Sequence, residues 1–449
     1  MGDSQRLTPD EQLAFAREQF EGAQDFTVAV EEEFAVLDPE TLDLTNRFEE
    51  LQAASRGTAL EEHLVGELIA SEVEVRTGRC GTFDEAAARI GERREQLFEL
   101  AESVGVSLAA TGTHPWSPWQ EQRIIDTPHY RRNDEILQYV VWRNNSFGLH
   151  VHVAINGPDR AIAVCNGLRN YLPELLALSA SSPFVDGINS GLHSARSQIF
   201  TRPFPRCGVP DAYDGWDGFE RYVRFLYETR SIDEHTQLWW SVRPHLGFPT
   251  VEMRICDGQP DLAEARALSA LIYALTARIA RAIDEDEPLP DFPHRLIEEN
   301  LWRAIRYGLS GELIDLATGD VRPARAHLER LVEWVLPMAE ELGCGDYLAI
   351  PAQNAAERQL IEELRSELAK LKISDLLLQM VYSVSSLAYQ RLAPESRDLE
   401  QAKLGIEALR ALVPVLDGSV PEEALRDFQQ VVANLQLAYA AAVAEGPER

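Results

Sequence analysis

Four short stretches of this chain alternate apolar and ionic side chains, and each draws its ionic set from Glu, His, Arg and a few small polar residues. A strand sends successive side chains to opposite faces. In FTVAVEEEFAV, Phe26, Val28, Val30, Phe34 and Val36 form an apolar face, while Glu31 and Glu33 point the other way. In EVEVRT, Val73 and Val75 oppose Glu72, Glu74 and Arg76. GLHVHVAIN sets Leu149, Val151, Val153 and Ile155 against Gly148, His150, His152 and Asn156. TVEMRIC sets Val251, Met253 and Ile255 against Thr250, Glu252 and Arg254. One such strand is an ordinary half-exposed strand. Four with the same content predict an antiparallel sheet with helices on one face and an ionic cleft on the other, since the antiparallel form tolerates two unlike faces. Glu32 breaks the parity. It falls on the apolar face, where an unpaired charge is costly, so it is expected at a bulge or against a basic partner.

Carboxylates gathered this closely repel one another unless a cation sits among them. Oxygen-rich ligation with a single imidazole suits Mg²⁺ or Mn²⁺. The His-x-His pair taken alone also fits zinc, but a zinc hydrolase needs a third protein ligand and a water. The excess of Glu over His favours the hard cation.

Around these strands the spacing predicts helices over 9–23, 82–105, 128–141 and 159–181. A Gly/Pro/Ser/Asn/Arg-rich stretch at 183–218 reads as a long ordered loop, of the kind that is usually functional or disordered. Strands are expected at 238–243 and 250–256, with almost continuous helix from Leu262 onward, broken near 285–293, 308–311, 346–353 and 416–421. The fold class is therefore α+β: a catalytic core over 1–315 and a helical C-terminal region, 316–449, packed on it. The late apolar stripe Ile373, Leu376, Leu377, Met380, Val381, Val384 and Leu387 reads as core at helical spacing.

The 449 residues carry 73 acids against 42 bases, a formal charge of -31. Such a surface repels nucleic acid and anionic lipid, so an anionic substrate would need local cations. The start, MGDSQRLTPDEQ, lacks the basic and apolar regions of a secretory signal. The most apolar helical stretch, near 267–283, contains Arg278 and Arg281, so no membrane span is expected. Five scattered cysteines without CxxC spacing fit reduced thiols in a cytoplasm. A homodimer is the base-rate expectation for a soluble enzyme.

In order along the chain, FTVAVEEEF, GELIASEVEVRTG, TGTHPW, FGLHVHV, ALSASSPF, SARSQIF and RPHLGFPTVEMRICD resemble the glutamate–cysteine ligase type 2 family, the YbdK-like carboxylate–amine ligases. The match runs from about residue 25 to 315, and more loosely beyond. That family belongs to the glutamine synthetase superfamily, so the resemblance implies a glutamine-synthetase-like sheet whose ionic face carries ATP and two or three divalent cations. It implies metal ligation by Glu31, Glu33, Glu67, Glu74, His150 and Glu252. Arg254 is similar to the arginine that steadies the transferring phosphoryl group, and Arg196 and Arg243 to polar positions near phosphate or substrate. His152 is expected to support His150, and His114 either borders the cleft or packs a loop. The implied activity is ATP-dependent amide formation through an acyl phosphate, first of all glutamate with L-cysteine to γ-glutamylcysteine. A ligase of the same fold with another acid or amine, a metal-dependent hydrolase without ATP, and a catalytically silent binding subunit are the alternatives. Two features depart from the family pattern: the chain extends past the usual length, and VEEEF carries a third acid.

Overall fold

All four alternating segments become strands of one seven-stranded sheet. Its members are β1 (Val28–Leu37), β2 (Leu64–Val65), β3 (Glu72–Arg76), β4 (Ser107–Ala109), β5 (Gly148–Ala154), β6 (Val242–Pro244) and β7 (Thr250–Asp257). The spatial order is β6-β7-β5-β1-β3-β2, and β4 pairs with the end of β1. Every pairing is antiparallel. The register puts Glu31 opposite both Arg76 and His150, Glu33 opposite Glu74, and Glu252 opposite His152 and Arg243. One ionic band, stepped by two residues at β5 between His150 and His152, thus crosses five strands. A one-residue slip would send that band into the core, so the buried face fixes the register. The structure, a computed structural model, describes residues 8–349, 373–393 and 396–445.

The opposite face is apolar and covered by helices. The helix Leu262–Asp284 is buried almost all round, as a helix enclosed by protein must be. Asp261 caps its start, accepting from the backbone N–H of Ala263 and Glu264. The helix Phe83–Val104 starts at a Thr82 cap and ends at Gly105, whose φ of 71° is the left-handed conformation that glycine adopts without steric cost. This helix resolves the parity break. Its Arg94 meets Glu32 on the apolar side through two hydrogen bonds, Nη2 to Oε1 at 2.6 Å and Nε to Oε2 at 3.0 Å. Arg94 also donates to the carbonyls of Gln259 and Pro260. The basic partner was expected; the bulge lies elsewhere.

Several elements differ from the sequence reading. The stretch 159–181 is two helices, Pro158–Leu168 and Leu172–Ser179, separated by a 3₁₀ turn, with Pro173 in the first turn of the second. The helix at 128–141 stops at Leu137, because Gln138 takes a φ of 48°. A helix, Gly215–Glu228, begins inside the stretch read as loop, and Phe48–Ser55 is a further helix. Residues 312–323, read as helical, form a short hairpin of Glu312–Ile314 with Val321–Pro323.

Two compact units divide the chain, Met1–Gln359 and Leu360–Arg449. The boundary drawn at 315 falls inside the first, because the helix Ala324–Glu341 places Leu328, Leu331 and Val335 in the same core as the sheet. The second unit has its own core, which includes Val381, Ile406, Leu409 and Leu435. Of the predicted apolar stripe, Val381, Leu377 and Val384 join that core, whereas Met380 and Leu387 face solvent. The side chains of Ile373 and Leu376 lie outside the described ones. Among the described residues, no helix is long and apolar enough to cross a membrane.

Candidate active site

The ionic face of the sheet floors a cavity of about 380 Å³. Glu31, Glu33, Glu67, Glu74, His150 and Glu252, the predicted ligands, all line it, as do Arg196, Arg243 and Arg254. Strand alternation explains most of this placement. Glu67 arrives from the turn between β2 and β3, and Arg196 from the loop after the helix Leu172–Ser179. His114 does not line the cavity. Its Nε2 pairs with the Leu42 carbonyl and its Nδ1 accepts from the Ser117 N–H, a loop-packing role.

The donors fall into three groups able to hold a cation, each with ligand atoms within 4.8 Å of one another: Glu31 with Glu74 and His150, Glu33 with Glu67 and Glu74, and Glu31 with His152 and Glu252. Glu31 and Glu74 are each shared by two groups. The third group includes His152, which the sequence reading placed in support. Its Nδ1 pairs with Thr250 Oγ1 at 3.0 Å, which fixes the ring, and Nε2 stands 3.5 Å from Glu31 Oε2 and 3.8 Å from Glu252 Oε1. The -HVH- spacing held the signal for both rings, since residues i and i+2 share a strand face. Both ring nitrogens of His150 and Nε2 of His152 are buried without a hydrogen-bond partner. Buried polar atoms seldom stay unsatisfied. A divalent cation among these groups would use the orphaned lone pairs, and a donor set of mostly carboxylate oxygens with an occasional imidazole fits Mg²⁺ or Mn²⁺.

The electrostatics divide the row in two. Against the effect of burial, His152, His150 and Arg76 hold the Glu31 carboxyl well below its usual range. Burial likewise opposes ionisation of Glu252, but Arg243 and Arg254 hold it well below as well. Toward β3 the balance reverses. Burial and neighbouring carboxylates push Glu72 and Glu74 well above the usual range, and Glu67 is raised by burial and Glu33. Glu33 is raised too, by burial above all. Burial and Arg254 bring His150 down to about 4, which leaves its imidazole neutral and able to ligate. At the β3 end Arg76 pairs with Glu74, but burial and the other carboxylates outweigh it.

The three arginines are held differently. Arg243 donates to Glu252 Oε2 at 2.7 Å and to the Leu238 carbonyl at 2.7 Å, so its donors orient Glu252. Arg254 pairs with the other oxygen of Glu252, yet its Nε is buried with no partner. Arg196 also has an unpartnered buried Nε. Its anchorage comes from a β-bulge between Met253 and Cys256, which shifts the β7 register against β5. Arg196 Nη1 reaches the Ile255 carbonyl in that bulge at 3.3 Å. Asp257, turned by the same shift, accepts from Ser181 N, Ser182 Oγ and Ser194 Oγ. The sequence reading missed Asp257, and also the apolar wall of Leu68, Leu137, Val141, Phe200, Phe204 and Trp239 across the cavity. Those six come from four separate stretches of the chain, and nothing in one stretch announces the others.

Comparisons with known proteins bear on this arrangement. Residues 27–367 match the model of a family described as glutamate-cysteine ligase family 2. A relative from Solibacter usitatus, provisionally named a glutamate–cysteine ligase 2, is 39% identical over 339 residues, covering 74% of this chain and 88% of that one. A provisionally named glutamate–cysteine ligase 2 from Sorangium cellulosum is also 39% identical, over 360 residues, 79% of this chain and 96% of that one. Among solved structures, the glutamate–cysteine ligase of Francisella tularensis in complex with AMP superimposes with a TM-score of 0.56 at 13% identity, covering 94% of each chain. That likeness is one of fold.

Proposed function

The chain belongs to glutamate–cysteine ligase family 2 and is an ATP-dependent carbon–nitrogen ligase, and from that premise we propose that it joins the side-chain carboxylate of glutamate to an amine, with cysteine as the reference acceptor. A carboxylate oxygen of glutamate attacks the γ-phosphorus of ATP, and the bond to ADP breaks. The amine nitrogen then attacks the acyl carbon, phosphate leaves, and a proton passes from nitrogen to a base or to water. Acid, amine and ATP thus give amide, ADP and phosphate.

The observation that carries this reading is the set of three cation groups sharing Glu31 and Glu74, with unpaired imidazole nitrogens aimed among them. Glu31, Glu33, Glu67, Glu74, His150 and Glu252 would hold Mg²⁺ or Mn²⁺, with His152 in the third group. When bound, the cations would supply charge neutralisation at the transferring phosphoryl group. Arg254 and Arg196 offer their unfilled Nε–H donors to the same group, and Arg243 fixes the angle of Glu252. A second cavity of about 650 Å³, bounded by Gln24, Thr27, Arg79 and Pro249, meets the first at Glu31, Arg76, His152 and Phe248. In-line phosphoryl transfer brings its two partners to phosphorus from opposite sides. Two cavities meeting at the carboxylate row suit that approach better than they suit a hydrolase with one substrate.

The test incubates the protein with ATP, Mg²⁺ and glutamate, with and without cysteine, following phosphate release and product mass. Phosphate that requires both acid and amine is expected. Glu31→Gln and Glu252→Gln should each lower turnover by about 10²–10³, the usual effect of removing a group that stabilises transition-state charge. Absence of ATP turnover with a panel of acids and amines, in protein that still binds Mg²⁺, would return the hydrolase and silent-subunit alternatives.

A further inference from the structure

The cavity has one wall that phosphoryl transfer leaves unused. Leu68, Leu137, Val141, Phe200, Phe204 and Trp239 all line the cavity and pack into one apolar cluster. The aromatic rings are locked to one another, Phe200 to Phe204 at 5.0 Å between centroids and Phe204 to Trp239 at 5.5 Å. The wall adjoins the chemistry at two points. Leu68 follows Glu67 in the chain, and the Arg196 guanidinium lies 5.6 Å over the Phe200 ring. On the far side, Arg206 lies 5.6 Å from the Trp239 centroid. Tyr130 ties its helix to the Glu67 turn, donating from its hydroxyl to the Gly66 carbonyl at 2.7 Å.

Each component of the reaction has its own requirement. The triphosphate and the dicarboxylate acid are polyanions, and they need the cations and the Arg196–Arg254 side. The adenine of ATP is apolar, and the larger second cavity, with Ala23, Val28, Ala29, Ala154 and Pro249 in its lining, offers it a place of its own. The acceptor enters as an ammonium, attracted to the carboxylates beside Leu68, and its substituent is the other part of the ternary complex free to be apolar. Leu68, Val141, Phe200 and Phe204 are already buried, and a cysteine side chain, with two heavy atoms beyond Cα, would leave the half-buried Leu137 and Trp239 in contact with water. Covering the wall is favourable in proportion to the apolar area removed from water, and ligand pockets are typically apolar with a few placed polar groups.

We infer that this wall is the acceptor subsite and that the preferred amine bears a bulky apolar substituent, of the size of a leucine or phenylalanine side chain. The inference rests on the ligase reading and narrows its acceptor. The expected product is a γ-glutamyl amide of a hydrophobic amine or amino acid.

Measuring kcat/KM at saturating ATP and glutamate for alanine, cysteine, leucine, phenylalanine and phenethylamine tests it. A rise of about tenfold or more from alanine and cysteine to leucine and phenylalanine is expected, since one or two buried methylenes discriminate on that scale. In Trp239→Ala and Leu137→Ala, both altered at half-buried positions, the ratio of phenylalanine to alanine kcat/KM should fall about tenfold. Thermal melting would verify that each variant is folded, and a ratio within one folded protein is insensitive to partial loss of active enzyme. Cysteine or alanine turning over as well as the bulky acceptors overturns the inference and leaves the ligase standing. No acceptor-dependent phosphate release with any amine overturns both.

Discussion

At the scale of single residues, the row of acids behaves as two populations, and pH separates them. Glu72, Glu74, Glu67 and Glu33 are raised above their ordinary value of 4.5 by burial and mutual repulsion. Such groups bind more protons folded than unfolded, so their contribution to stability declines as pH rises from about 4.5 through their folded values. Glu31 and Glu252 are depressed; they stabilise above 4.5, and that contribution is lost as pH falls through their lowered values. A cation bound only by the folded state stabilises by mass action and competes with the protons on the raised set. Millimolar Mg²⁺ should therefore raise Tm by several degrees near pH 8 and by almost nothing near pH 4.5. Equal shifts at both values in a calorimetric series would contradict the assignment. Glu32 gives a second prediction. Arg94→Met leaves its carboxylate buried and unpaired, at a cost of about 3–5 kcal/mol, read as lost Tm. Adding Glu32→Leu should recover most of that cost, with kcat/KM unchanged because neither residue lines the cavity. The sequence exposed Glu32 as an anomaly by parity, but Arg94 sits 62 residues away on a helix, and parity says nothing about distant partners. His152 shows a different limit. Spacing put it beside His150, whereas its reach to Glu252 depends on the β5–β7 register.

At the scale of elements, the strands were legible because a period of two with unlike faces is hard to produce otherwise, and β1, β3, β5 and β7 lie within one or two residues of expectation at each end. The bulge in β7 was not. TVEMRICD reads as unbroken alternation, and only pairing with β5 reveals that Met253 meets Val151 while Cys256 meets Leu149. That extra residue re-aims the end of the strand, as bulges beside active sites do. It brings Asp257 to the three serine-loop donors and presents the Ile255 carbonyl to Arg196. The stretch 183–218 was read as a long ordered loop, but its anchorage could not be read without the bulge. Asp257→Ala removes the acceptor for Ser181 N, Ser182 Oγ and Ser194 Oγ together, so the segment leading to Arg196 loses its tether. A misplacement of about 1 Å at a phosphoryl-facing group costs on the order of 10² in rate. The expected result is a kcat lower by that factor with Mg²⁺ affinity within about twofold, since the six predicted ligands sit on other segments or on the strand before the bulge. Loss of Mg²⁺ affinity in parallel with kcat would place Asp257 in the cation site instead.

At the scale of the whole molecule, the chain divides into two compact units. Among the described residues, those lining the ionic cavity belong to the unit Met1–Gln359. The sequence placed the division too early because helical periodicity looks alike on both sides of it: Ala324–Glu341 is as amphipathic as the helices beyond, and nothing local reveals that Leu328, Leu331 and Val335 pack with the sheet core. Periodicity identifies a buried face and leaves its partner unnamed. In Leu360–Arg449 the buried stripe of the helix Ile373–Leu392 meets the helices Leu399–Leu412 and Glu422–Glu445, with Leu409 and Leu435 fully enclosed between them. Core and chemistry can therefore be perturbed separately. Leu435→Ala removes buried methylenes and leaves a cavity, a change that costs about 2–5 kcal/mol depending on how far the site collapses. That loss should appear in the unfolding of the helical signal. At a temperature below the weakened transition, ATP turnover with glutamate and amine should match the unaltered protein, because none of the groups proposed to hold cation, phosphate or acceptor belongs to that core. A fall in kcat/KM before any loss of helical signal would instead make the second unit a working part of the ligase.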